Sequence, residues 1–333
     1  MAERPIILCM TDMDPAGMAL LRAAGEVRMA SALDPGTLRR EVADADALVL
    51  RTHGVVDAAL LDAAPRLKVV GRHGVGYDHI DVPAATERGV LVLTTPGANT
   101  ESVCQHAFGL MIGLSKYFPQ TMAALIADDY HARTRWTGRD LTGRTLGIVG
   151  FGRIGKRVGE VGHVAFGMKV IYNDVVAPPH EAEAKAAARR VELEELLETS
   201  EYVTLHVPLD ESTRKMIGRD ELARMRADAI LINTCRGPVV DEKAVAEALD
   251  ARRLWGYGAD VFEVEPPPPG HPLIGRPDCM LTPHSAAQTV ESLRNMAVGI
   301  ARDVVGVLRG EAPMNPVADP EVVLANRGRL GKP

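Results

Sequence analysis

The amino-terminal third of the chain alternates short apolar runs with amphipathic segments. The apolar runs, which we predict to be strands, cover residues 6–9, 47–50, 68–70 and 90–93. Segments with helical spacing of apolar positions separate them at 17–24, 35–42, 57–63 and 82–88. Strands that alternate with helices form parallel sheets covered by helices on both faces. This part of the chain is therefore predicted to be an α/β domain of the flavodoxin-like, doubly wound type.

A second pattern of the same kind is centred on residues 142–174. An apolar strand at 146–149 leads into Gly150-Phe-Gly152-Arg-Ile-Gly155, and a helix-like segment follows. The apolar positions of that segment share one face: Ile154, Val158, Val161 and Ala165. A further apolar strand at 168–172 ends close to Asp174. This is the order of elements in a dinucleotide-binding βαβ unit: a strand, Gly-x-Gly-x-x-Gly, a helix, a second strand and an acidic residue. We therefore predict a Rossmann domain here.

Each residue type in this motif has a physical function. Gly150 permits a tight turn, Gly152 lets the backbone approach a pyrophosphate, and Gly155 lets the helix pack closely on the strand. The N–H groups at the start of the helix favour phosphate. Asp174 lies near the usual offset of about 20 residues, where a carboxylate accepts hydrogen bonds from the adenosine ribose and repels a 2′-phosphate. The motif therefore predicts NAD rather than NADP, although a plain turn or a methyltransferase nucleotide site produces similar glycine patterns.

The remaining segments complete a prediction of two domains. A strongly apolar helical segment at 99–118 is expected to join them, and the charged residues 121–141 are either a dimer contact or an irregular surface loop. Further strands are predicted at 202–207, 229–233, 258–261 and 279–281, with helices at 193–197, 220–225, 242–251 and 288–309. We expect the last helix to pack on the amino-terminal domain and the tail from Val317 to be loosely ordered. The predicted domains are 1–98 with 286–333, which would bind substrate, and 99–285, which would bind NAD, with a cleft between them.

Composition and charge narrow the class of protein. The chain has 333 residues, of which 46% are hydrophobic and 25% charged, as in ordinary globular proteins, and its net charge is −6. A net negative charge does not favour binding to nucleic acid or to an anionic membrane. No apolar run approaches the length of a membrane span. The four cysteines include no C-x-x-C pair, so we expect neither a disulfide framework nor a metal site. With a first apolar run too short for a signal peptide, these features predict a cytoplasmic protein.

Groups suited to carbonyl chemistry follow successive strands in the second half of the chain. Arg236 comes after one predicted strand and stays charged, so it can clamp a carboxylate bidentately. Asp260 and Glu265 follow the next strand. His284 follows the last one, and histidine gives and takes a proton near neutrality. Parallel strands would bring these groups to one edge of the sheet, beside a nicotinamide. Taken singly, each of them is more simply interpreted as a surface residue. His206, at the end of another strand, is the alternative candidate for the histidine.

A glycine-rich loop in the amino-terminal domain is a second candidate site. Gly74, Val75 and Gly76 come soon after the strand at 68–70, at its carboxyl end, where α/β sheets bind ligands. N–H groups in such a loop can hold an anion such as a carboxylate. The simpler alternative is a tight turn without a ligand.

Together these motifs resemble the D-isomer-specific 2-hydroxyacid dehydrogenase family. The matching segments are Gly150-x-Gly152-x-x-Gly155, Asn-Thr-x-Arg236-Gly, Asp260-Val-Phe-x-x-Glu265-Pro, Thr-Pro-His284, Gly-Val-Gly-x-Asp-x-Ile-Asp at 74–81 and Pro96-Gly-x-Asn99-x-x-Ser102-Val103. They span almost the whole chain, and the three late motifs together are highly specific. The chain departs from the family pattern at Cys104-Gln105, Cys235, Pro238 and Ser285, none of which touches the chemical roles. Glu265 separates it from formate dehydrogenases, which carry glutamine there.

The resemblance implies a role for individual residues. Arg236 would bind the substrate carboxylate with help from the N–H groups of residues 74–76. His284 would be the general acid in reduction and the base in oxidation, and Glu265 would orient it. Asp260 would hold the nicotinamide carboxamide. Other residues expected at the cofactor are the three motif glycines, Arg153, Ile154, Asp174, Val207, Pro208, Thr234 and Ala286, and further expected substrate contacts are Arg51 and Asn99.

The resemblance also implies a cleft that closes on ligand and a homodimer built on the cofactor domains. We therefore expect an NAD-dependent D-2-hydroxyacid dehydrogenase that works mainly as a 2-oxoacid reductase, with hydroxypyruvate or glyoxylate as the first expected substrate. 3-Phosphoglycerate is the second, because Arg51, Arg72 and His73 lie on or near loops where they could neutralise a phosphate. No regulatory domain of the kind found in long phosphoglycerate dehydrogenases is expected. The alternative from another class is an NAD(H)-sensing, corepressor-like interaction protein on the same scaffold.

Overall fold

The chain folds as two compact units, each with a parallel sheet of its own. A computed structural model describes residues 4–330. The first unit extends to Asn99 and resumes at Gln288, and the second is Thr100–Ala287. Residues 1–3 and 331–333, which the sequence assigns to the substrate domain, lie outside the described residues.

The sheet of the first unit has five strands, and all its strand pairs are parallel. The strands are β1 (Ile6–Cys9), β2 (Glu26–Met29), β3 (Ala47–Leu50), β4 (Val69–Arg72) and β5 (Leu91–Leu93). Their spatial order, β2-β1-β3-β4-β5, is the flavodoxin-like order, so the predicted fold class is confirmed for this unit. The sequence pattern misses β2 because this edge strand is partly exposed and lacks a continuous apolar run.

Helices cover both faces of this sheet and bury two hydrophobic cores. Successive residues of β1 alternate between the cores, with Ile6 and Leu8 in one and Ile7 and Cys9 in the other. The helices are α1 (Pro15–Ala24), α2 (Pro35–Glu41), α3 (Ala58–Asp62), α4 (Val82–Glu87), α12 (Val290–Leu308) and α13 (Pro320–Leu330). The first four begin at an aspartate whose carboxylate accepts backbone N–H bonds of the first turn. Helix α12 packs along α1 and against β4, as predicted for the last long helix.

The segment after Val317 is predicted to be loosely ordered, but this prediction is wrong for Pro320–Leu330, which form helix α13. Val323 of α13 is 1% exposed. The Arg327 guanidinium donates hydrogen bonds to the carbonyl oxygens of Gly89 at 2.7 Å and Lys68 at 2.5 Å. One apolar side chain and one arginine thus anchor a helix whose polar composition conceals its packing.

The second unit contains a seven-stranded sheet, again with parallel strand pairs throughout. The strands are β6 (Thr145–Val149), β7 (Lys169–Asn173), β8 (Arg189–Arg190), β9 (Tyr202–Leu205), β10 (Ile230–Asn233), β11 (Gly256–Ala259) and β12 (Cys279–Leu281). Their order is β8-β7-β6-β9-β10-β11-β12. This is the Rossmann order extended by one strand, so the fold class predicted for this unit is confirmed as well.

The helices of the second unit flank this sheet. They are α5 (Thr100–Ser115), α6 (Phe118–Ile126), α7 (Arg153–Phe166), α8 (His180–Ala186), α9 (Leu193–Thr199), α10 (Arg219–Arg224) and α11 (Glu242–Asp250), with 3₁₀ turns at Tyr130–Thr134 and Gly237–Val239. The stretch 121–141 is therefore not simply an irregular loop, because α6 extends to Ile126. Nowhere in residues 4–330 does a helix combine the length and apolarity that crossing a bilayer would require.

The strand order of the second sheet reverses between β6 and β9, which are adjacent in space but not in sequence. Ligands of such sheets bind at the carboxyl ends of the strands beside this reversal. The loops after β6, β7, β9, β10, β11 and β12 leave the sheet at that edge, and they carry the candidate residues of this unit.

Candidate active site

The turn after β6 has the geometry of a phosphate-binding loop. Gly150 has a φ of +90°, and a Cβ atom there would lie 2.6 Å from the carbonyl oxygen of His206. A Cβ on Gly155 would lie 2.1 Å from the carbonyl oxygen of Gly150. A Cβ on Gly152 would meet no protein atom within 4 Å, and this residue begins α7 without a side-chain cap. The open space in front of uncapped helix N–H groups fits a bound pyrophosphate.

Asp174 lies just beyond the end of β7 and is oriented by this turn. Its carboxylate accepts hydrogen bonds from the N–H groups of Phe151 at 2.6 Å and Val176 at 2.8 Å. Arg190 on β8 donates to the backbone carbonyl oxygen of Asp174 at 2.6 Å. An arginine therefore lies beside the expected ribose site. The sequence alone does not predict this neighbour, because the pairing of β8 with β7 leaves no clear signal in a two-residue strand.

Two buried polar atoms at the carboxyl ends of β9 and β10 have no hydrogen-bond partner among the described residues, namely His206 Nδ1 and Thr234 Oγ1. Buried polar atoms are rarely left unpaired in folded proteins. Val207 and Pro208 continue from His206 along the same edge. Burial lowers the pKa of His206 to about 3, so its ring is neutral at physiological pH. The two atoms fit a dinucleotide along this edge. No carboxylate within residues 4–330 bonds to His206, so this histidine is the weaker candidate for proton transfer.

His284 and Glu265 form a hydrogen-bonded pair. His284 Nδ1 lies 2.7 Å from Glu265 Oε2, and the two side chains are 41% and 37% exposed. Glu265 Oε1 accepts the N–H of Phe262 at 3.0 Å. Burial acts to raise the pKa of Glu265, but the hydrogen bonds from His284 and Phe262 outweigh it and hold the pKa below its usual range. The glutamate is therefore ionised at neutral pH and engages Nδ1, which leaves Nε2 of His284 for a ligand.

Asp260 organises the turn that carries His284. It is 1% exposed, and its carboxylate accepts the hydroxyl of Thr282 at 2.6 Å and the N–H groups of Ser285 and Ala286 at 2.7 Å each. The backbone N–H of His284 donates to the Asp260 carbonyl oxygen at 2.7 Å. These bonds hold His284 at a φ of +52°, a region that residues with side chains rarely adopt. The N–H of Ala286 is thus engaged within the protein, while the Asp260 carboxylate retains acceptor capacity for a further donor.

Arg236 lies in a turn after β10 that the side chain of Asn233 shapes. The Asn233 amide donates to the carbonyl oxygen of Arg236 at 2.9 Å and accepts the N–H of Cys235 at 3.1 Å. The Arg236 guanidinium donates to the Cys235 carbonyl oxygen at 2.7 Å. A Cβ on Gly237 would lie 1.9 Å from the carbonyl carbon of Phe262. The turn that carries Arg236 is therefore packed directly on the loop after β11.

The glycine-rich loop of the first unit agrees only in part with the prediction. The N–H of Gly74 donates to the Thr95 hydroxyl at 3.1 Å, and its carbonyl oxygen accepts the Thr95 N–H at 2.9 Å. The Gly74 N–H is therefore unavailable to an anion, which corrects the prediction for this residue. The N–H groups of Val75 and Gly76 have no acceptor within residues 4–330.

Two of the three basic residues proposed for a phosphate point inward, which contradicts that hypothesis. Arg72 is 8% exposed, and its guanidinium donates to the carbonyl oxygens of Gly76, at 2.8 Å, and of His73. His73 is 2% exposed. Arg51 is half-buried just after β3. The side-chain oxygen of Asn99 is buried, and no described residue donates a hydrogen bond to it. Arg72 thus supports the backbone of the glycine-rich loop instead of facing a ligand.

The described residues contain no group of three or more His, Cys, Asp or Glu side chains that would hold a metal ion. The four cysteines, Cys9, Cys104, Cys235 and Cys279, are free thiols.

The family of the chain follows from its match to a protein-family model. The model of the NAD binding domain of D-isomer specific 2-hydroxyacid dehydrogenases matches residues 108–286, which include the glycine turn, Arg236, Glu265 and His284. The chain belongs to the D-isomer specific 2-hydroxyacid dehydrogenase family. The prediction of this family is confirmed.

Several characterised proteins are similar over most of the chain. It is 39% identical, over 93% of its residues, to a D-3-phosphoglycerate dehydrogenase of Methanocaldococcus jannaschii, of which it spans 59% of the length. It is 42% identical, over 85% of its residues, to a glyoxylate reductase of Korarchaeum cryptofilum, of which it spans 85%. The crystal structure of an NADPH-dependent glyoxylate/hydroxypyruvate reductase of Sinorhizobium meliloti, in complex with NADP and malonate, superimposes with a TM-score of 0.85 at 29% identity. That match covers 95% of this chain and 97% of the other.

Proposed function

We propose that the protein is an NAD-dependent D-2-hydroxyacid dehydrogenase that works mainly as a 2-oxoacid reductase. The observation that carries this proposal is the 2.7 Å contact between His284 Nδ1 and Glu265 Oε2, at the sheet edge that also carries Arg236 and the glycine turn. Glyoxylate and hydroxypyruvate are the proposed substrates, and the similarity to reductases of these names supports them. The second unit would bind the dinucleotide, and the first would bind substrate.

The chemistry of the proposed reaction divides between cofactor and protein. NADH supplies a hydride when bound. His284 protonates the carbonyl oxygen of the substrate from Nε2, and it takes the proton back in the oxidative direction. Glu265 holds the ring through Nδ1 and stabilises its protonated form until the proton leaves. Arg236 binds the substrate carboxylate through two parallel N–H donors.

The residues proposed to hold the dinucleotide surround the carboxyl edge of the second sheet. They are Gly150, Gly152, Arg153, Ile154, Gly155, Asp174, Val207, Pro208, Thr234, Asp260 and Ala286. Preference for NAD rests on the Asp174 carboxylate, which would repel a 2′-phosphate. Arg190, which lies beside Asp174, would attract a 2′-phosphate. The preference for NAD over NADP that we propose is therefore moderate rather than absolute.

Two alternatives differ in substrate or in class. A 3-phosphoglycerate type is favoured by the similarity to the Methanocaldococcus enzyme, but of its three proposed basic residues only Arg51 remains a candidate. A corepressor-like NADH sensor on the same scaffold would bind NADH but turn over 2-oxoacids negligibly, so turnover distinguishes it from an enzyme. The proposed substrate contacts in the first unit are Arg51, Asn99 and the N–H groups of Val75 and Gly76. Gly74 would contribute only through the conformation of the loop.

We further propose that the protein is a cytoplasmic homodimer that associates through α6. The four free thiols suit a reducing compartment. Helix α6 has no buried residue, and its exposed apolar side chains include Met122, Leu125 and Ile126. A contiguous apolar surface of this kind marks an interface.

The activity is tested by following NADH oxidation with glyoxylate, hydroxypyruvate and 3-phosphohydroxypyruvate. We expect wild-type turnover with at least one of them, a kcat/KM lowered by roughly 10²–10⁴ in His284→Ala, and a raised KM for the oxoacid in Arg236→Ala. The exposed residues His163 and Arg253 supply matched controls, because His163→Ala and Arg253→Ala should leave the rates unchanged. Tight NADH binding without turnover would establish the sensor instead, and full activity in both site variants would refute the proposed site.

A further inference from the structure

A buried pair of ionisable side chains lies outside the groups assigned to the reaction. His271 Nε2 lies 2.9 Å from Glu242 Oε2, and the two side chains are 6% and 7% exposed. Charged side chains are seldom buried to this extent unless hydrogen bonds satisfy them. The proposed reaction assigns no chemical role to either residue.

The hydrogen bonds of this pair connect it to the loop after β11. Glu242 Oε1 accepts the backbone N–H of Glu263 at 3.1 Å, so each carboxylate oxygen has a donor. The His271 ring accepts the Leu273 N–H at Nδ1, at 3.4 Å, which assigns the proton to Nε2 and makes this nitrogen the donor to Glu242. The edge of the same ring meets Phe262 with centroids 5.4 Å apart.

The loop that this pair contacts has few hydrogen bonds of its own that could fix its conformation. Residues 263–272 contain no helix or strand, and Pro266 to Pro269 lack backbone N–H donors. Glu265 lies in this loop, two residues after the Glu263 N–H that Glu242 binds. External contacts at Glu263 and at His271 therefore fix the loop on both sides of Glu265.

Glu242 also belongs to the chain segment that carries Arg236. It is the first residue of α11, which follows the Arg236 turn after a 3₁₀ turn at Gly237–Val239. That turn packs against the backbone of Phe262. One carboxylate thus links the segment that presents Arg236 to the loop that presents Glu265.

We propose that Glu242 and His271 are positioning residues that set the location of Glu265 relative to His284 and Arg236. This inference rests on the proposed function, because it assigns the pair to the same reaction. Loss of either partner leaves the other buried without its bond, and Glu265 is then no longer held where it meets His284 Nδ1. The proton transfer suffers. The glycine turn after β6, to which neither residue of the pair is hydrogen-bonded in the part of the chain that the structure describes, still binds NADH.

The test compares variants that remove or conserve the bonds. His271→Ala and Glu242→Ala remove them, and His271→Gln keeps an N–H donor near the position of Nε2. Glu247 lies on the same helix α11 and forms a surface ion pair with Arg219 of α10. Glu247→Gln removes that ion pair and serves as the matched control. Steady-state kinetics as a function of pH are measured on the full chain for every variant, together with hydrogen exchange of the backbone amides of residues 262–265, 270 and 271.

We expect kcat to fall tenfold or more in both alanine variants, while the KM for NADH stays within about twofold of wild type. The pH profile of kcat should shift, amide exchange should rise at residues 262–265, 270 and 271, and His271→Gln should restore at least half of the lost rate. Glu247→Gln should behave as wild type. A lowered melting temperature with unchanged kcat and an unchanged pH profile would show that the pair is only structural, and would overturn the proposal.

Failure of the proposed function is recognised separately. A wild-type protein that reduces no 2-oxoacid refutes the function, and the crystal structure of His271→Ala then decides the positioning role by itself. Separation of Glu265 from His284 beyond hydrogen-bonding distance supports that role. An intact 2.7 Å contact in the variant contradicts it.

Discussion

Burial controls the protonation of His73 in the first unit. Its side chain is almost fully buried, and Nε2 lies 3.2 Å from the Leu293 carbonyl oxygen. Burial and, to a lesser extent, the positive charge of Arg51 lower the pKa of His73 from 6.5 to about 4. The neutral ring with a proton on Nε2 can donate to Leu293, and this form ties the loop after β4 to α12.

This shift makes stability depend on pH in a defined direction. Between about pH 6.5 and pH 4 the unfolded chain binds a proton at His73 that the folded chain does not bind, so stability is lost as the pH falls. We expect the group to lower the free energy of unfolding by up to about 1.4 kcal/mol per pH unit in this range. Urea unfolding at pH 7.5 and pH 5 measures it. His73→Gln should show a smaller loss on acidification, whereas substitution of the exposed His53 by Gln should match wild type; equal slopes in all three proteins would contradict the assignment.

At the scale of elements, helix α6 exposes apolar side chains that a single chain leaves uncovered. Phe118, Met122 and Leu125 recur at helical spacing, and Ile126 adds to the same stripe with 83% of its surface exposed. A stripe of this kind normally faces a core. In the proposed dimer, the stripe of a second copy would supply that core.

The double substitution Met122→Glu with Ile126→Glu is expected to convert the dimer to a monomer, because two charges would be buried in an apolar contact. Light scattering after size-exclusion chromatography measures the mass. Val164 on α7 is also exposed, at 72%, but is isolated, so Val164→Glu is the control and should remain dimeric. A wild-type chain that is monomeric at high concentration would rule out this interface.

At the scale of the whole molecule, one sheet of the second unit carries the glycine turn after β6, His284 and Arg236. The residues lie far apart in sequence, and strand pairing alone places their loops at one edge. A ligand that binds there selectively stabilises the folded state in proportion to its affinity and concentration.

We expect NADH at about 100 times its Kd to stabilise the folded protein by about 2.7 kcal/mol, and NADPH at the same concentration to stabilise it less. Thermal unfolding with each dinucleotide measures the difference. Asp174→Ala should narrow the gap by removing the repulsive carboxylate, and adding Arg190→Ala should widen it again. Equal shifts for both dinucleotides in the wild type would show that Asp174 does not discriminate.

Much of the fold was accessible from local patterns. The apolar runs at 6–9, 47–50 and 279–281 coincide with β1, β3 and β12, because buried parallel strands are continuous apolar segments. The glycine motif and its helix were equally clear, since Gly150 and Gly155 occupy positions where a Cβ does not fit. Strand β2 and helix α13 were harder to predict from the sequence. Strand β2 is only partly buried, and α13 is held by a few individual side chains.

By itself, the sequence determined the two parallel-sheet domains, the dinucleotide motif and the family, because periodicity, glycine spacing and residue type act locally along the chain. Tertiary structure alone decided that Arg72 and His73 turn inward, that the Gly74 N–H is engaged, and that Arg190 lies beside Asp174. It also decided the buried contact of Glu242 with His271. Side-chain burial and hydrogen bonding across distant segments depend on how strands and loops pack, and no local pattern encodes them.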